Sequence, residues 1–241
     1  MICYLSKVSS KKTSCNIILQ EHEKDRRYIF DAGANLSATK EEIMKIAQEI
    51  KPDIIVFGEI PSLGIVGNRF IELVNFIKTH TDSIICLDTL VNNEEDYNWL
   101  VGDWNKIDIV HCNYGEGMHI TKCASLPEIC SWFLRKGVNL AIVSNGEMGC
   151  YFGHNNAVEY VPSFKVCERD ATGAGDAMMA GIITKLLDYG TNLKNIKIDI
   201  IRKMGRFSLT QVNKPIDLEN KKEELKRLKD IAAVIKNEME L

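Results

Sequence analysis

Residues 170–176 read Asp-Ala-Thr-Gly-Ala-Gly-Asp and run straight into the apolar, helix-forming stretch Ala-Met-Met-Ala-Gly-Ile-Ile. A small turn of that kind sits at a helix N-terminus, where free N–H groups and the macrodipole attract an anion. Gly173 and Gly175 let a ligand come close to the backbone, and Asp176 places a carboxylate at the same spot. A carboxylate beside an anion site makes chemical sense where it takes the proton of a hydroxyl that attacks a phosphoryl group, a reaction in which positioning and charge neutralisation do most of the catalysis. The same residues also suit a plain Gly-rich turn with an aspartate at the helix start.

Two further groups carry chemistry. Asn113-Tyr-Gly-Glu116 follows the apolar run Ile-Asp-Ile-Val-His-Cys directly, which puts both polar side chains at the C-terminal end of a strand, where open α/β sheets bind ligands. Read alone, they are an Asn turn followed by a helix-start Glu. Ser144-Asn-Gly146-Glu-Met-Gly149 follows the strand-like Asn-Leu-Ala-Ile-Val, and a Gly-x-x-Gly turn by itself is weak evidence for a phosphate loop. The histidines at 22, 80, 111, 119 and 154 have no ligand-like spacing and read as structural or exposed. Trp99, Trp104 and Trp132, with Met178 and Met179, read as packing residues.

The elements that must position these groups alternate along the chain. CNIILQ (15–20) and RYIFDAG (27–33) flank a charged turn and predict a hairpin. Thr39 with Glu42 is a capping-box pattern, and Ile43, Ile46, Ala47 and Ile50 repeat at helical spacing behind it. Apolar strands at 53–58, 83–88, 107–113 and 139–144 are separated by helices around Phe70 to Ile77, near 93–100 and over 125–137. Such strands belong to a parallel sheet covered on both faces. CYFG and AVEYVP surround a His-Asn-Asn turn at 154–156, a second hairpin. Beyond the helix that follows Asp176, helices are expected near 198–211 and 218–236, and no repeat or long linker divides the chain, so a single domain over 1–241 is expected.

With 241 residues, 45% of them hydrophobic, the chain can bury one sizeable core. A formal charge of −3 with mixed signs argues against a nucleic-acid partner, which calls for a basic patch. No stretch has the length of a membrane helix and the N-terminus lacks an apolar signal core, so no membrane partner is expected. The eight cysteines fall mostly in apolar runs without a C-x-x-C pair and read as reduced, buried thiols of a cytoplasmic protein.

Taken together, these motifs resemble the ribokinase-like (PfkB) carbohydrate kinase family. Its Asp-Thr-Thr-Gly-Ala-Gly-Asp turn is matched at six of seven positions, with Ala171 the departure. The resemblance implies a three-layer α/β fold with a largely parallel sheet flanked by helices and a β-lid, here the hairpin at 15–33. It implies ATP-dependent phosphorylation of a sugar or nucleoside hydroxyl, with Asp176 as base and Gly173, Ala174 and Gly175 as anion hole. Asn113 and Glu116 resemble the family's Asn-x-x-Glu motif, which organises Mg2+ and the phosphates. Ser144, Gly146 and Gly149 resemble its Thr-x-Gly-x-x-Gly nucleotide turn, and Thr172 joins them. Asp170 would lie in a loop that holds a monovalent cation, K+, in many members. Ala32-Gly-Ala-Asn35 and Glu59-Ile-Pro resemble segments of the family's ribokinases that place Asn35 and Glu59 near the sugar, which tilts the substrate toward ribose. Family members often dimerise through the lid strands, so a homodimer is implied.

The pattern departs at both ends. The family's opening strand with a sugar-binding Asp, and its Gly-Gly turn, do not precede the hairpin, so the expected chain lacks the N-terminal βα units and part of the lid. In place of the family's small-residue helix near the adenine stands Lys-Met-Gly-Arg-Phe (203–207). Three functional readings stay open on the sequence: a sugar or nucleoside kinase, a non-catalytic nucleotide-binding relative inactive as this chain, and an α/β scaffold whose Gly-rich turn is only a cap.

Overall fold

The computed structural model describes residues 8, 10–19, 27–58, 60–91, 96–164 and 172–190, with isolated positions 193, 196, 203 and 205. Strands β1 (Cys15–Leu19) and β2 (Arg27–Asp31) pair antiparallel as a two-stranded ribbon in the register Cys15↔Asp31 to Leu19↔Arg27. This is the hairpin expected at 15–33, and it leaves Leu19, Tyr28, Ile29 and Phe30 exposed. A 3-10 turn over Gly33–Ser37 leads into α1 (Lys40–Ile50), whose N-terminus carries the expected capping box of Thr39 and Glu42. The box satisfies helix N–H groups that otherwise have no partner.

The main sheet has six strands in the order β3 (Ile54–Gly58), β4 (Ile84–Asp88), β5 (Ile109–Asn113), β6 (Leu140–Ser144), β7 (Cys150–His154), β8 (Ala157–Val161). β3 to β6 are parallel, and β7 and β8 continue antiparallel. Helices α2 (Asn68–His80), α3 (Tyr114–Thr121), α4 (Leu126–Arg135) and α5 (Ala174–Tyr189) supply the layers. The strands are apolar on both faces because both faces are covered. One face carries Ile85, Leu87, Val110, Cys112, Ala141 and Val143 in a cluster with Leu73 and Ile77 of α2 and with Ile129 and Phe133 of α4. The other carries Ile84, Cys86, Ile109, Leu140 and Ile142 with Met178, Met179, Ile182 and Leu186 of α5. The two-residue side-chain period therefore sorts each strand between two cores.

The first core is rich in aromatics. Trp104 meets Phe133 edge-on with ring centroids 5.0 Å apart, Trp132 stands edge-on to both, and Tyr97 flanks Trp104 at 6.3 Å. The three tryptophans do pack as expected. Cys86, Cys112, Cys130 and Cys150 are buried and free, and burial pushes the Cys86, Cys130 and Cys150 thiols up to about 12.

Some local expectations shift. The second hairpin turns on Asn155 and Asn156 alone, both left-handed at φ 47° and 62°, while His154 belongs to β7 and is buried between the carbonyls of Asn139 and Ile196. A two-residue turn with both residues left-handed matches the strand twist, which a three-residue reading of His-Asn-Asn overlooks. Near 93–100 the described residues form only a 3-10 turn at Asn98–Leu100. At the start of α4 the Ser125 hydroxyl bonds the Glu128 carboxylate at 2.8 Å. The helices expected near 198–211 and 218–236 lie outside the described residues, apart from helical Lys203 and Gly205. Among the described residues, no helix is long and apolar enough to cross a membrane.

Because Phe133 is fully buried between Trp104 and Trp132, truncating it empties the centre of this core. Phe133→Ala is expected to lower stability by about 3–5 kcal/mol in urea unfolding followed by tryptophan fluorescence.

Candidate active site

At their C-terminal ends, three neighbouring strands switch from apolar to polar on the α5 face. β4 runs Ile84, Cys86, then Asp88; β5 runs Ile109, then His111; β6 runs Leu140, Ile142, then Ser144. The parallel register sets Asp88 opposite His111 and Asn113 opposite Ser144. His111 is only 4% exposed, yet both ring nitrogens are engaged: Nδ1 lies 2.6 Å from Oδ1 of Asp88 and Nε2 lies 3.2 Å from Oγ of Ser144. A buried polar ring is tolerable only when so paired.

The first turn of α5 sits on this ring. Its N-cap is Gly173 at φ +78°, a left-handed conformation that glycine adopts without the Cβ penalty. A Cβ added to Gly175 would stand 3.2 Å from Cε1 of His111. The helix N-terminus, with its free N–H groups and Asp176 in the first turn, is therefore held against the end of β5 by the absence of one side chain. Asp176 is exposed.

Asn113 and Glu116 form a reciprocal cap at the start of α3. The Asn113 Oδ1 accepts from the Glu116 N–H at 2.9 Å, and the Glu116 Oε2 accepts from the Asn113 N–H at 2.9 Å and from the Thr89 hydroxyl at 3.0 Å. The plain capping reading of this pair is thus real, and it fixes Glu116 where a ligand group would need it. Among the described residues, Oε1 of Glu116 has no hydrogen-bond partner. Burial raises the Glu116 carboxyl above the usual range, Asp88 adds to this, and the bonds from Asn113 and Thr89 with nearby His111 oppose it.

The turn after β6 divides its two glycines. Gly146, at φ +52°, has open space where a side chain would stand. At Gly149 a Cβ would lie 2.3 Å from the Val161 carbonyl, so the space is taken by the chain's own backbone at the end of β8 rather than left for a ligand. Asn35 lies in the turn after β2, which packs on the 3-10 turn Ile60–Leu63 beyond β3. It is thus on the β3 side of the site, and β3 itself stands two strands from β5 in the sheet. Glu59, Asp170 and Ala171 lie outside the described residues.

The structure thus brings together Gly173, Ala174, Gly175, Asp176, Asn113, Glu116 and Ser144, with Gly146 at the rim. Asp88, Thr89 and His111, which join them, were not singled out from the sequence. The available signal was positional: Asp88 and Ser144 each end an apolar strand, and His111 interrupts one.

Comparison with known proteins places the chain. Residues 2–196 match the pfkB family of carbohydrate kinases. The chain belongs to that family. A ribokinase of Staphylococcus aureus (strain COL) is 22% identical over 202 residues, covering 79% of this chain and 62% of that protein. Fructokinase-1 of Zea mays is 28% identical over 107 residues, 44% of this chain and 33% of that protein. The pfkB-family chain thus spans less than two thirds of the length of these curated relatives. A ribokinase from Thermotoga maritima superposes with a TM-score of 0.63 at 21% identity, over 85% of this chain and 64% of its own. A ribokinase of Giardia lamblia gives 0.67 at 16%, over 83% and 64%. These likenesses establish the ribokinase fold: a mostly parallel sheet flanked by helices.

Gly175→Ala forces a methyl against a buried ring that hydrogen bonds hold on both sides. The substitution is expected to displace the first turn of α5 and weaken anion binding there, read as a loss of chemical-shift response at 174–177 on titration with inorganic phosphate, with a thermal midpoint changed little.

Proposed function

We propose that this pfkB-family chain is built for ATP-dependent phosphorylation of a hydroxyl on a sugar or nucleoside. The observation that carries the reading is the seating of the α5 N-terminus, with Asp176 in its first turn, on the strand ends that hold Asn113, Glu116 and Ser144. The sequence match to the pfkB family of carbohydrate kinases over residues 2–196 supports the reaction class.

The residues fit a Mg-nucleotide. Hard oxygen donors gather at Asn113, Thr89 and Glu116, and Mg2+ prefers such donors while keeping several of its waters. The raised carboxyl of Glu116 fits too, because a buried carboxylate with a free oxygen is stabilised by a cation beside it. When bound, Mg2+ would neutralise phosphate charge, held through Asn113 and Glu116. A related candidate ribokinase II from E. coli, similar in fold with a TM-score of 0.62 at 19% identity over 81% of this chain and 64% of its own, was solved with ATP and Mg2+.

The chain's own groups then divide the work. The N–H groups of the α5 first turn stabilise negative charge that grows on the transferred phosphoryl oxygens. Asp176, exposed at that turn, accepts the proton of the acceptor hydroxyl as its oxygen attacks. Gly146 keeps the rim clear for the nucleotide phosphates, with Ser144 at its base. Asn35 and Glu59 are the proposed acceptor contacts, and they incline the reading toward a ribose-like sugar.

Two measurements test this. Asp176→Asn should cut ATP-dependent phosphorylation by about 10²- to 10⁴-fold across a pentose, hexose and nucleoside panel while ATP·Mg binding by calorimetry persists. A parent chain that binds no ATP·Mg would overturn the reading. Glu116→Gln should lose about 10- to 100-fold in Mg2+ affinity. Its stability tests the same charge: a carboxyl raised on folding contributes stability below its unfolded value, about 4.3, and loses it as pH rises through the folded value. In metal-free buffer the parent's melting temperature should therefore fall relative to Glu116→Gln as pH rises from about 4 toward neutrality.

A further inference from the structure

We propose that Asp88 and His111 are positioning residues that turn the Ser144 hydroxyl inward, so that Ser144 meets a bound Mg-nucleotide as a hydrogen-bond acceptor and not as a donor to its phosphates. A carboxylate offers only lone pairs, so the short 2.6 Å contact between Oδ1 of Asp88 and Nδ1 of His111 requires the ring proton on Nδ1. In the neutral ring Nε2 is then bare, and the neighbour at 3.2 Å, Ser144 Oγ, must donate to it. The other group within reach of that hydroxyl proton, the Cys112 carbonyl at 3.4 Å, also lies on β5. Both directions point the proton into the strand. No other described residue bonds Ser144 Oγ through its side chain, so the lone pairs that face away from β5 are free.

The ring cannot turn to undo this. His111 is buried, its Cε1 lies under Gly175, and its two nitrogens are tied to β4 and β6. A serine locked as acceptor suits an O–H group at the turn, either a ribose hydroxyl or a water held by the metal, and leaves the anionic oxygens to the α5 N-terminus. This ligand-facing half rests on the nucleotide reading above. The tautomer itself does not.

The test has a spectroscopic arm and a binding arm. In the ligand-free wild-type chain, long-range 15N–1H correlation of His111 above the ordinary imidazole range should show protonated Nδ1 and bare Nε2. A protonated Nε2 overturns the proposal. Asp88→Asn, nearly isosteric, can donate its amide to Nδ1 and move the proton to Nε2, which inverts the pattern and removes the nearer acceptor that holds the Ser144 proton inward, leaving only the longer contact to the Cys112 carbonyl. With the tautomer inverted, the dissociation constant for ATP·Mg by calorimetry should rise about five- to tenfold. Ser144→Ala should show a similar loss, and the double variant no more than either single change. An inverted tautomer with unchanged affinity, or fully additive losses, overturns the acceptor role. Repeating Ser144→Ala with 2′- and 3′-deoxy-ATP separates the two donors: the loss vanishes for a ribose hydroxyl and persists for a metal-held water. If wild-type chain binds no ATP·Mg, the nucleotide reading fails, while the 15N pattern still decides whether Asp88 and His111 set the serine.

Discussion

The contact between the first turn of α5 and the His111 ring is the constraint on which the candidate site depends. It brings a helix N-terminus to the sheet edge, and it works only because Gly175 has no side chain and His111 is held still from both flanks. Remove the ring's partners and a buried imidazole is left unsatisfied, at a cost that desolvated polar groups make large. Move the ring and the helix loses its floor. The strand ends, the cap of α3 and the α5 turn are thus one assembly: Thr89 bonds Glu116 through its hydroxyl and the His111 carbonyl through its N–H at 3.0 Å.

Much of this was legible in the sequence, for physical reasons that can be named. The strands announce themselves by apolar runs because both sheet faces are buried, and α1 and α3 by capping residues that the helix ends require. Asn113, Glu116 and Ser144 stand out because polar groups follow apolar runs, and Asp176 because it stands where a Gly-rich turn opens one. Asp88 and His111 escaped because their meaning lies in register: 23 positions apart, they become partners only once β4 and β5 pair in parallel. A histidine inside an apolar strand reads as a structural residue until its neighbour across the ladder is known. Gly149 shows the reverse case. Its place in a Gly-x-x-Gly turn suggests room for a ligand, yet the nearby atoms belong to residues 161–163, a contact that no local pattern encodes.

The two cores serve different ends. On one face Trp104, Trp132, Phe133, Tyr97 and Phe70 interlock with α2 and α4, and large aromatic surfaces give the sheet a stiff backing. On the other face α5 packs through methionines, isoleucine and leucine over most of its length, and its first turn is built of small residues. Stiffness behind the sheet and close approach in front of it are what positions a helix end to a fraction of an ångström. Such precision matters most where catalysis consists mainly of placement.

The charge at the site carries one more step. Asp88, Glu116 and Asp176 gather near a helix N-terminus that favours anions, and among the described residues neither Glu116 nor Asp176 is paired with a lysine or arginine. Asp88 turns to His111 instead. Three carboxyls beside an anion-binding turn would repel the phosphates that the turn attracts; the Glu116 carboxyl is raised first by its burial, with Asp88 adding to it. A helix terminus supplies only about half a unit charge, too little to offset it. On the proposed reading, a divalent cation arriving with the phosphates would offset this charge, Glu116 with Asn113 would hold it, and Asp176 would be left as the carboxylate free to take a proton.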